Sequence, residues 1–123
     1  MFTIRKEMKD TFDADIRRRF ENRMVEHGNR FFPQQCRELG EAGVRDWIRL
    51  GIARAGRYGI VAERDVCKYI DVMFVYGANF DSDSRYPWAA EILNAAPVNP
   101  THKTDRLFET ARLYAPARGH WHA

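Results

Sequence analysis

"AERDVCKYIDVMFVYGANFDSDSRYPW", residues 62–88, decides how the rest of the chain is read. Val66, Tyr69, Ile70, Met73 and Phe74 recur at the spacing of one buried helical face. Glu63 and Asp65 stand in the first turn of that pattern, where carboxylates oppose the positive end of the helix dipole. Gly77 falls where a helix ends on a residue with positive φ. Beyond it, Asp and Ser side chains bond readily to nearby backbone and favour a turn. Pro87 then suits the first position of a new helix. The spacing predicts a helix over 62–76, a turn, and a second helix from 87.

The turn also holds two aspartates, Asp81 and Asp83, which raises the question of a calcium loop. Such a loop needs oxygen ligands at positions 1, 3 and 5, glycine at 6 and a bidentate Glu at 12. Counted from Asp81, position 6 is Tyr86 and position 12 is Ile92; counted from Asn79, they are Ser84 and Ala90. Both registers fail, and Arg85 would set a positive charge beside the ion. The stretch reads as a helix–turn–helix link anchored by Phe80 and Trp88.

The same period extends outward. Ile4, Met8, Phe12, Ile16, Phe20 and Met24 are spaced by four over a helix from about residue 4 to 27. At ~100° per residue each such step overshoots by ~40°, so the stripe drifts about 200° around the axis. One end of this helix must therefore face a different neighbour from the other. Gly28 and Asn29 are expected to end it. Pro33 opens two turns to Gly40, and Val44, Trp47, Ile48, Gly51, Ile52 and Ala55 mark a further helix over 41–57. Gly51 on that buried face implies close approach by a neighbour, and Gly59 with Ile60 suits the close of the helix. Trp88, Ile92 and Ala95 or Ala96 can share a face after Pro87. In the last helix Asn99 is a natural N-cap and Pro100 a first residue, with Leu107, Phe108, Ala111, Tyr114 and Ala115 as its stripe. The expected fold is all-α: a compact, single-domain bundle of five or six helices over residues 1–123.

The composition agrees with one such domain. The chain has 123 residues, 45% of them hydrophobic, which is enough for a core. The net charge of +3 is mild, but uneven: residues 1–68 balance at +4 and residues 69–123 at −1. This is not the dense basic stripe of a nucleic-acid binder. The amino terminus carries charges every few residues, unlike a secretory signal, and no apolar run approaches the ~18 residues of a membrane span. The expected compartment is the cytoplasm, with no membrane partner.

Few residues point to chemistry. Cys36 and Cys67 lack metal-ligand spacing and read as small buried hydrophobes. Of the histidines, His27, His102, His120 and His122, only the last two are close, as H-W-H in the tail, without the further ligands a structural zinc site needs. A catalytic cysteine would need a histidine brought in by folding, and no phosphate-loop, dinucleotide or nucleophile-elbow motif occurs. No catalytic residue, metal or cofactor is expected, and hence no enzyme. Asp13, Asp15, Glu21 and Glu26 interleave with Arg17, Arg18, Arg19 and Arg23 and weaken the case for nucleic acid.

Residues 52–96 resemble small helical accessory proteins of bacterial type VI secretion effector loci. The shared features are a helix ending in Tyr58-Gly59-Ile60, a start at Glu63-Arg64-Asp65, the aromatic helix through Tyr69 to Gly77, the link Phe80-Asp81 with Asp83, and Pro87-Trp88. Val61 departs from the Ser or Thr expected ahead of that helix start. The resemblance implies a cytoplasmic chaperone or adaptor that binds a secreted effector or spike component, with an immunity protein neutralising a cognate toxin as the alternative; apart from the resemblance, the arginines of residues 17–23 on one helix leave a nucleic-acid-binding helical protein as the third. Independently, the drifting stripe and the basic first half place a protein-partner surface on Arg17, Arg19, Phe20, Arg23 and Met24. Burial of Phe20 and Met24, with the arginines paired to Asp13, Asp15 and Glu26, is the competing expectation. Homo-oligomerisation is left open.

Overall fold

The computed structural model describes residues 6–95 and 99–115, with side chains from residue 13 onward. The tail histidines His120 and His122, the side chains of Ile4, Met8 and Phe12, and Ala96 lie outside the described residues. Within them the chain forms α1 (Lys6–Phe31), α2 (Pro33–Arg57), α3 (Glu63–Tyr76), a 3-10 turn (Phe80–Ser82), α4 (Pro87–Asn94) and α5 (Pro100–Tyr114), with no strand. The all-α bundle expected from the sequence is the fold observed.

Helix α3 is the centre. It packs against α2 on one side and α5 on the other; α1 packs on α2, and α4 on α5 and the 3-10 turn. Asp65, Val66, Tyr69, Ile70, Asp71, Val72, Met73 and Phe74 are all buried, so α3 is enclosed around much of its circumference. Two polar side chains come inside with it and require partners. Asp65 accepts a hydrogen bond from the Thr101 hydroxyl at 2.9 Å, tying the start of α3 to the start of α5.

The helix ends follow local chemistry. Gly59, with φ of 79°, lets its N–H reach the Gly56 carbonyl while that of Ile60 reaches Ala55. These two bonds form the Schellman close of α2, and Ile60 seals it from the core. Asn99 caps α5 by accepting from the Thr101 N–H at 2.8 Å. Ala62 precedes α3 without a side-chain cap, and Glu63 and Asp65 supply the charge at that end instead.

Gly28 and Asn29 do not end the first helix, which continues to Phe31. A Cβ on Gly28 would lie 2.9 Å from Cys36 Sγ and 3.6 Å from the Phe74 ring, so the glycine serves close packing rather than a turn. Helix α1 instead gives way to α2 at Phe32, and Gly40, where the sequence placed a boundary, kinks α2 with a φ of 73°. In α4 the buried face is Ala89, Ile92 and Leu93, with Trp88 only half-buried at its edge. Tyr114 at the end of α5 is 64% exposed instead of core, its ring 5.9 Å from that of Trp88. Trp47 and Ile52 are half-buried at the margin of the core.

The acidic link is structural. Phe80 is fully buried; Asp83 pairs with Arg85 at 2.8 Å and accepts its backbone N–H at 2.9 Å. Asp81 accepts from the Tyr58 hydroxyl at 2.6 Å, while Arg54 donates to the Ala78 carbonyl and to Asn79. Asp83 is thus committed to Arg85 and one Asp81 oxygen to Tyr58, while Asp81 Oδ1 is buried without a hydrogen bond, 3.8 Å from Arg54 Nη1. No helix among the described residues is long and apolar enough to cross a membrane.

Candidate functional site

The drift predicted for the stripe of α1 is visible in its burial. Met24 and Phe20 are 3% and 7% exposed, whereas Ile16, one step earlier, is 42% exposed. Phe20 and Met24 therefore belong to the core, because the same overshoot that turns Ile16 outward turns them inward; Met24 is corrected out of the expected partner surface, while Phe20, though buried, still forms part of the wall beneath Ile16. Arg17, Arg19 and Arg23 remain at the surface. Arg23 pairs with Glu63 of α3, not with the acids of its own helix. Among the described residues no carboxylate lies within ion-pair reach of Arg17, Arg18 or Arg19.

Ile16 opens into a groove of about 240 Å³. Its walls are Ile16, Arg17 and Phe20 from α1, Ile52 from α2, Ile60 and Val61 from the α2–α3 connection, and Glu63 and Val66 from α3. Val61 is 78% exposed at its lip. Val61 departs from an expected polar cap, and in the structure it extends the apolar rim. Beside this groove the α1–α2 seam is charged. Glu21, nearly buried, accepts from Arg45 at 2.8 Å and from both Nε and Nη2 of Arg49 at 3.1 Å. Burial alone would raise the Glu21 carboxyl, but the bonds from Arg45 and Arg49 outweigh it and hold the group below its ordinary value of 4.5.

A second constellation was not expected. His27 of α1 reaches across to Cys67 and Asp71 of α3: its Nε2 donates to Asp71 Oδ1 at 2.7 Å and lies 3.8 Å from Cys67 Sγ. Cys67 is therefore not a mere apolar filler, and Asp71 is fully buried. Burial works against charge on His27, but the bonds with Asp71 and then Cys67 overcome it and hold the imidazole above its ordinary 6.5. Cys36, by contrast, is buried among apolar groups, and its thiol is pushed up. The i, i+4 placement of Cys67 and Asp71 was readable in the sequence, as was a carboxylate next to Ile70 in a core helix. A buried carboxylate demands a partner, but nothing in the sequence pointed to His27, 44 residues from Asp71.

No protein-family model matches the chain, and neither a curated protein nor a solved structure is similar to it.

Proposed function

We propose that the chain is a non-enzymatic protein-binding module whose groove between α1 and the α2–α3 connection receives an apolar segment of a protein partner. The carrying observation is that Ile16 and Val61, from two separate elements, are exposed on one groove whose floor is apolar. Arg17 at its edge suits an acidic side chain flanking that segment. In line with the resemblance of residues 52–96, the partner is a type VI secretion effector or spike component, held in the cytoplasm before loading.

Successive arginines 17, 18 and 19 point about 100° apart around the helix, so they form no single phosphate-reading face, which disfavours nucleic acid. Co-expression with type VI secretion effectors tests the role. A chaperone or adaptor raises the soluble yield or delivery of one of them without protecting cells from it. Protection without such a gain would replace this reading with that of an immunity protein.

A further inference from the structure

We propose that His27, Cys67 and Asp71 form a binding site for a divalent transition-metal ion of the zinc type, clasping α1 to α3. One ligand atom from each residue lies within 4.8 Å of the other two. Cys67 and Asp71 are one turn apart on α3, so their side chains project from the same face. His27 enters from a different helix, which makes the set convergent rather than a local accident of sequence.

The three ligand atoms, all within 4.8 Å of one another, are close enough for a tetrahedral ion to draw them together. With metal–sulfur near 2.3 Å and metal–nitrogen or –oxygen near 2.0–2.2 Å, neighbouring ligand atoms stand about 3.2–3.8 Å apart. The 3.8 Å between Cys67 Sγ and His27 Nε2 already meets this. The 2.7 Å from His27 Nε2 to Asp71 Oδ1 is a hydrogen bond, and it must lengthen by about half an ångström as the ion takes the place of the proton. Binding releases the Cys67 thiol proton and the Nε2 proton to solvent, leaving a thiolate, a neutral imidazole and a carboxylate. Thiolate with imidazole selects zinc or cobalt over magnesium or calcium, which prefer all-oxygen sets.

Access comes through the partly exposed Cys67, since the Asp71 side chain is fully buried. Cys67 and Asp71 also line an open groove of about 540 Å³ between α3 and α5, together with Arg64, Lys68, Asp105 and Glu109. Water from that groove completes a four-coordinate ion. This site is separate from the docking groove and does not depend on it: the metal would fix how α1 lies across α3, whatever binds beyond Ile16.

The test uses the full chain, freed of metal by a chelator and titrated with Co²⁺ alone and then Zn²⁺. The expected result is one-to-one uptake of Co²⁺ with tetrahedral ligand-field bands in the visible and a thiolate-to-cobalt charge-transfer band, both abolished by Zn²⁺. Cys67→Ser removes the charge-transfer band, Cys36→Ser keeps it, and a chain with His120→Gln and His122→Gln keeps it as well. Zn²⁺ raises the melting temperature of the wild type but not of Cys67→Ser. Absence of the charge-transfer band in the wild type overturns the proposal whether or not any variant folds, and so does a band that survives Cys67→Ser.

Discussion

Gly51 of α2 faces Ile70 of α3 so closely that a Cβ placed on the glycine would lie 2.5 Å from Ile70 Cγ1 and 3.1 Å from Met73 Sδ. Ile70 and Met73 are fully buried, so neither can swing away into solvent. Gly51→Ala gains about 1 kcal/mol of helix propensity but forces overpacking of about 1–3 kcal/mol. Because the obstructed atom sits near the Ile70 branch point rather than at a flexible tip, the clash wins. Urea denaturation should show a net loss of up to about 2 kcal/mol. An unchanged or higher midpoint would mean that α2 and α3 are not packed this tightly.

The Glu21 clamp between α1 and α2 makes a pH-dependent prediction. A carboxylate whose folded pKa is depressed contributes stability above its ordinary value and loses it as pH falls. Glu21→Gln should therefore cost about 1–2 kcal/mol near neutral pH, a figure kept modest because Arg49 is largely solvated. The gap between wild type and variant should close as pH falls below 4.5 and through the lowered value. Denaturation curves at pH 7 and in acid measure this. A gap that persists or widens in acid would show that the clamp is not electrostatic.

Asn99 offers a cap that can be removed without touching the core. Asn99→Ala leaves the Thr101 N–H without its acceptor and should lower stability by about 1 kcal/mol, while Asn99→Asp, which keeps an acceptor at that point, should stay close to the wild type. Thermal melts of the two variants side by side give the comparison. Equal losses in both would point to strain rather than a missing cap.

Much of the architecture was written in local patterns. The stripe Val66, Ile70 and Phe74, the Gly59–Ile60 close of α2, the Asn99–Pro100 start of α5 and the packing role of Gly51 all depend on spacing or backbone chemistry within a few residues. Gly28 misled because a glycine that ends a helix and one that admits a neighbour look alike until the neighbour, here Cys36 and Phe74, is in place. The four-residue spacing on α1 indicated a change of face but not where it falls, between Ile16 and Phe20. The His27–Cys67–Asp71 cluster was less legible still, since its geometry exists only once α1 crosses α3.

The partner proposed for the groove at Ile16 and Val61 is a secretion-locus protein. The direct measurement is affinity capture from cells expressing the tagged chain with type VI secretion effectors and spike components, comparing wild type with Ile16→Asp/Val61→Asp. Both side chains are exposed, so the double variant should melt as cooperatively as the wild type. The wild type should retain an effector or spike component, and the variant should retain it at least about tenfold less tightly, a loss of about 1.4 kcal/mol or more. Retention of no secretion-locus protein by the wild type, or equal retention by the folded double variant, would contradict it.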